Sequence, residues 1–326
     1  MSPGAASRSP AKAILLLAAA FDLESVLRRD RLVVVIALVA VIVLSWVYVL
    51  AGAGMGMSAF KMTRMTQPVG VSDSDQLGTQ VPQSATSGSI SKGSAADGTR
   101  QTMRMSGKGQ SAAMDGMMVS GAWTVGYVAV IFFMWWVMML GMMLPSAAPL
   151  LLLFARMMRK EKEKGAPYVA TGVFAFGYVV MWAAFSAIAT GAQWGLEASG
   201  LLSGIMVGTS AVLGAVLLIA AGIWQLTPLK HACLKHCRSP IGFLSAHWRP
   251  GRIGAFRMGL VHGAFCLGCC WFLMALLFYG GVMNLYWIIG LALYILIEKL
   301  LPAGARVGQL TGVALIVWGA VLLFYT

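Results

Sequence analysis

The sequence predicts an all-α protein, a polytopic transmembrane helix bundle of about seven spans carrying a disordered, Met-rich outer loop. Two observations on the whole chain lead there. Of its 326 residues 59% are hydrophobic and only 11% charged, where a soluble domain carries about 25% charged residues. Its charge-free intervals are also long enough to cross a bilayer, which takes about 20 mostly apolar residues for a hydrocarbon core of about 30 Å. A third observation is local: residues 52–121 break from this composition, rich in Ser, Gly, Thr and Gln with almost no aromatics.

Taken in order, residues 1–31 are a cytoplasmic N-terminal segment. The apolar run Ala13 to Phe21 is too short to span and is followed by Asp22, Glu24, Arg28, Arg29 and Arg31, which suits an interfacial helix. No small-residue cleavage site follows it, so a signal peptide fits less well. Residues 32–51 form the first span. Residues 52–121 have too little apolar surface to offset the entropy of ordering and are expected to be disordered and extracytoplasmic. Methionines recur there in groups: Met55 with Met57, Met62 with Met65, Met103 with Met105, and Met114 with Met117 and Met118.

Residues 122–326 form a six-span domain. The second span is expected to end near Leu144, because Pro145 and Pro149 follow it and disrupt a helix interior. Spans three and four are expected near Tyr168 to Thr190 and Gly204 to Thr227, joined by a linker holding Gln193 and Glu197. The interval from Met258 to Ile297 holds two crossings divided by a Gly-Gly-Val-Met-Asn turn at 280–284. A last span runs from about Val307 to Tyr325. With the N-terminus inside and the C-terminus outside, 18 of the 24 Lys and Arg fall on the inner side, as the positive-inside rule prefers.

The net charge is +13. On a soluble face it would suggest nucleic acid, but these charges sit between apolar spans, so the partners are the lipid bilayer and no nucleic acid. Five cysteines, all after residue 230, are too few and too clustered for a secreted disulfide scaffold.

Every cysteine and histidine lies between residues 231 and 270. The loop HACLKHC places His231, Cys233, His236 and Cys237 together. The span HGAFCLGCCW places His262, Cys266, Cys269 and Cys270 together. At about 100° per residue, Met258, His262, Cys266 and Cys269 fall on one helix face within about 80°, with Cys270 slightly to its side. Thiolate and imidazole suit Cu(I), Zn(II) or Fe–S centres and not the oxygen-seeking Ca(II) or Mg(II). A zinc site would take two donors from each segment, for example Cys233 and Cys237 with Cys266 and Cys269. His247 is the weakest donor, since Trp248 and Arg249 beside it read as an interfacial anchor.

Twenty-two methionines add thioether donors, which favour Cu(I). Met134, Met138 and Met142 recur at helical spacing on span two, next to Met139 and Met143. As adaptable apolar side chains they also suit a helix core. Glu298 and Lys299 are adjacent opposite charges at a span end, readable as an ion relay or as a structural pair. Glu197 has no evident partner. The chain carries no Walker A motif, GxSxG elbow or dinucleotide fingerprint, and an enzyme is not expected.

The segments MMLPSAAPLLLLFAR (142–156), CRSPIGFLSAHWRPG (237–251), MGLVHGAFCLGCCWFLMALLFYGGVMNLYW (258–287) and EKLLPAG (298–304) resemble a bacterial family of predicted metal-binding integral membrane proteins. It is a domain of unknown function, some members of which are labelled copper chaperone. The resemblance implies a multi-span metal protein of the bacterial inner membrane, with His262, Cys266, Cys269 and Cys270 as its site. Together with the donor types it leads to a soft-metal protein, copper being expected and zinc the alternative, that transports the ion or delivers it to a copper-accepting partner. A membrane thiol-disulfide oxidoreductase built on Cys266, Cys269 and Cys270, and a subunit with a structural zinc site, are the competing readings.

Overall fold

A computed structural model describes residues 32–55, 58–65, 123–163, 171–202 and 210–325. The 1–31 segment and most of the Met-rich loop lie outside the described residues, among which all the regular elements are α-helices. These are α1 (Leu32–Leu50), α2 (Ala59–Met65), α3 (Val125–Glu163), α4 (Thr171–Ala198), α5 (Ala211–Leu226), α6 (Pro228–Arg238), α7 (Pro240–His247), α8 (Gly251–Ala275), α9 (Leu277–Gly280), α10 (Leu285–Leu300) and α11 (Gly304–Phe324).

Among the described residues five helices are long and apolar enough to cross a membrane, or six if α5 with α6 makes one bent span. The expected count was about seven. The difference lies in α5 and α10, each only 16 residues long, which reach about 24 Å at 1.5 Å per residue and fall short of a hydrocarbon core of about 30 Å.

Helix α3 does not stop near Leu144. It runs 39 residues with Pro145 and Pro149 inside it, about 58 Å at 1.5 Å per residue. Pro145 and Pro149 leave the Gly141 and Pro145 carbonyls without their helical donors, and α3 stays one helix because it is packed among neighbouring helices along this stretch. Ser146 Oγ donates to the Met143 carbonyl at 2.8 Å, and the Tyr178 hydroxyl reaches the same oxygen at 3.3 Å. Helix α4 likewise continues past the expected linker. Gln193 is a fully buried helix residue that accepts from Trp135 Nε1 at 2.8 Å and donates to Glu197 at 2.9 Å. Glu197 also accepts from Trp123 Nε1 at 3.1 Å, so it is partnered.

The near end of the 52–121 segment is helical rather than disordered. Helix α2 docks on the start of α10, where Thr63 Oγ1 accepts from the Leu285 amide at 3.0 Å, and Met55 is buried with Ala53 and Ala59. The turn expected at 280–284 is present: Gly281 adopts φ 92° and Asn284 caps α10 by accepting from the Tyr286 amide at 3.1 Å.

Two features position the site. Thr227 precedes Pro228, which has no amide to continue α5, and the pre-proline residue is held extended at φ −69°, ψ 144°. The chain turns by 66° and α6 starts with Thr227 Oγ1 accepting from the Lys230 amide at 3.3 Å. Helices α4 and α8 also pack closely: a Cβ at Gly177 would collide with the Phe256 carbonyl, and one at Gly259 with the Phe174 carbonyl. Small residues allow such approach where helix association rests on van der Waals packing. Gly259→Leu is expected to separate α4 from α8 and destabilise the fold by about 1–3 kcal/mol; a thermal unfolding midpoint in detergent equal to wild type would contradict the contact.

Candidate metal centre

The face expected on span five lies inward. Met258, His262, Cys266, Cys269 and Cys270 are all buried on α8. The Cys269 and Cys270 thiols both turn back to donate to the Cys266 carbonyl, each at 3.0 Å. This bond holds their sulfurs close to that of Cys266 without bringing them to a common point. Cys270 Sγ also touches Met143 Sδ at 4.0 Å, which ties the methionine column of α3 to the thiol cluster. The described methionines of that column, Met134, Met138, Met139, Met142 and Met143, are all buried.

The bend at Thr227 lays α6 against α8 and brings the two cysteine segments together through one residue. Cys237, half-buried near the end of α6, comes close to Cys266 and Cys269. Its partner in the loop, Cys233, sits on the flank: a Cβ on Gly268 would lie 2.9 Å from its sulfur. The symmetric arrangement of two donors from each segment is therefore not formed. A helical i, i+4 pair points its two side chains about 40° apart, and only Cys237 faces Cys266.

The other loop donors are not part of the cluster. His231 Nδ1 is bound to the Thr227 carbonyl at 2.8 Å and His236 Nδ1 to the Ala232 carbonyl at 2.9 Å. His236 stacks on Phe265 with ring centroids 4.2 Å apart and meets His247 edge-on at 5.8 Å. His262 differs from all three. It is 4% exposed, stacks on Tyr178 at 5.7 Å, and its buried Nδ1 has no hydrogen-bond partner. A buried polar atom without a partner costs about 1–3 kcal/mol, and this one lies a single helical turn before Cys266.

Residues outside the expected donor set complete the surroundings. The Tyr178 hydroxyl lies 3.2 Å from Cys266 Sγ. Lys299 Nζ donates to Cys266 Sγ at 2.9 Å and to Ser146 Oγ at 3.2 Å. Glu298 and Lys299, adjacent in sequence, do not pair with one another: Glu298 forms a buried ion pair with Lys230 of α6. Arg238 Nη2 donates to the Leu301 and Pro302 carbonyls at 2.6 and 2.7 Å. Helix α6 is thus tied to α10 and its exit turn near both of its ends, which fixes Cys237 over α8. Tyr178 could have been suspected from sequence as a polar-tipped aromatic in an apolar span. Nothing in sequence separates Lys230 from the other inner-loop cations.

Among the described residues no group of three or more His, Cys, Asp and Glu side chains is already arranged around a metal position. The residues nevertheless fit a soft ion: three buried thiols and the half-buried Cys237 are gathered together, and the adjacent imidazole offers an unpartnered ring nitrogen. Two or three sulfurs suffice for Cu(I), whereas a structural zinc site takes four protein ligands in a tetrahedron.

The family model for PpoB2, described as copper chaperone, matches residues 132–322. No curated protein and no solved structure matches the chain.

Proposed function

Because the chain belongs to the PpoB2 copper chaperone family, we propose that it is an integral membrane protein of the bacterial inner membrane that binds Cu(I) and hands it to a copper-accepting protein, acting as a carrier and not as a catalyst. The observation that carries this reading is the meeting of Cys237 with Cys266 and Cys269 beside the unpartnered Nδ1 of His262. Cys266, Cys269 and Cys237 are the ligands we assign, His262 the added nitrogen donor, and Cys270 a reserve thiol in contact with Met143. Thioethers hold Cu(I) weakly and exchangeably, so the buried methionines of α3 suit transfer toward the thiols, which hold it more tightly.

The direct test is transfer. Reduced protein in detergent is loaded with Cu(I) and offered a chelator of graded affinity, and the copper left on the protein is measured. Retention against a weak chelator with release to a strong one is expected. Zinc retained in preference to copper would favour the structural-zinc reading, and redox-dependent thiol labelling without metal would favour the oxidoreductase. Deleting residues 66–118 removes the outer methionines beyond α2 and spares the docked segment. It is expected to slow copper loading at low copper while leaving full occupancy at saturation; unchanged loading would mean that these methionines do not collect the ion.

A further inference from the structure

Lys299 is a buried ammonium that forms no ion pair with a carboxylate among the described residues. It is 5% exposed, and the nearby Glu298 carboxylate is engaged by Lys230. Its hydrogen-bond partners are the Cys266 sulfur at 2.9 Å and the Ser146 hydroxyl at 3.2 Å. Taking a charge out of water costs several kcal/mol unless a partner of opposite charge compensates it. The sulfur cluster is the only compensating group these contacts supply, and the ammonium stands where an incoming cation would meet Cys266.

We propose that the Lys299 ammonium is the cation the thiol cluster holds when it carries no metal, and that Cu(I) binds by displacing it. The exchange starts from the Cys266 thiolate: the Nζ–H···S bond breaks, a Cu–S bond forms, and the ammonium keeps its protons, so one positive charge leaves that sulfur as another arrives. The Cys237 and Cys269 thiols that then join the ion each release their S–H proton to solvent. Ser146 supplies the way out. It is only half-buried and already accepts from Nζ, so a small swing of the long lysine stem moves the charge off the sulfur without leaving it unpartnered. The resident cation makes the ion easier to release, because return of the ammonium compensates the thiol as the metal departs. Lys299 is in this sense a positioning residue for metal exchange and not a ligand.

The proposal rests on the copper reading above, and the experiment separates the two. Cu(I) affinity is measured by chelator competition for wild type and for Lys299→Met, following the sulfur-to-copper ultraviolet absorption as a readout of the site itself. A pocket occupied by its own cation for nine-tenths of the time binds about tenfold more weakly than an open one, so Lys299→Met is expected to bind Cu(I) about tenfold more tightly and to release it more slowly. Equal or weaker binding by the variant would overturn the displacement and leave a supporting role for the charge. If wild type itself binds no Cu(I), it is the copper reading that fails. Should Lys299→Met not fold, Lys299→Arg decides: its planar fork holds sulfur and hydroxyl together and withdraws less easily. It is expected to bind Cu(I) more weakly than wild type, and wild-type affinity would overturn the proposal.

Discussion

Replacing Cys266 and Cys269 together with serine is expected to remove Cu(I) binding from a protein that still folds. Both side chains lie in the buried pocket, and both contact Cys237, so the double change removes two of the assigned sulfurs and leaves the third without neighbours. Disturbing groups that merely orient a metal ligand costs about 10–100-fold in affinity, and loss of two ligands is expected to exceed that range. A hydroxyl at position 269 can still donate to the residue-266 carbonyl as the Cys269 thiol does, and one at 266 can still accept from Lys299, so helix content and elution in detergent should match wild type. Copper retained at wild-type affinity by the folded double variant would displace the site from α8. The corresponding Cys233→Ser change, on the flank by Gly268, is expected to have a much smaller effect.

Glu298→Ala is expected to cost more stability than any other single change considered. The carboxylate is 1% exposed and pairs with Lys230, which is equally buried. Breaking a buried pair by removing one partner leaves an uncompensated charge and costs about 3–5 kcal/mol. The pair also ties α6 to α10, so its loss loosens the helix that carries Cys237. Replacing both partners by apolar residues, Lys230→Met with Glu298→Leu, removes the stranded charge and is expected to recover most of the thermal stability. A double variant no more stable than Glu298→Ala would mean that the two residues act separately.

The sequence was legible where chemistry and periodicity coincide. The face of α8 follows from residues at spacings of three and four, and its burial is what an apolar helix carrying polar donors demands. The division at 280–284 follows from glycine and asparagine, whose conformational and capping preferences act locally. The end of α3 is not legible in sequence because a proline penalty is a local quantity, while the burial of Leu144, Ala147, Leu150 and Leu151 that keeps the helix continuous is tertiary packing. The buried position of Gln193 depends in the same way on Trp135.

For the site, the residue types were readable and their selection was not. Sequence offers Cys233 and Cys237 as equals; once the 66° bend at Thr227 lays α6 on α8, Cys233 lies over Gly268 and Cys237 beside Cys266 and Cys269. Glu298 and Lys299 invite pairing because they are adjacent. Neighbours in a helix point about 100° apart, so one side chain reaches Lys230 and the other enters the thiol pocket.

The central claim is that the buried thiols of α8, with the half-buried Cys237 of α6, hold copper. The most direct measurement is the metal content of the full chain, purified in detergent under reducing conditions from cells supplied with both copper and zinc, with the copper absorption edge recorded on the same sample. The account predicts about one copper per chain, in the reduced state with sulfur as its main neighbour. Zinc in its place, or no metal bound at all, would contradict it.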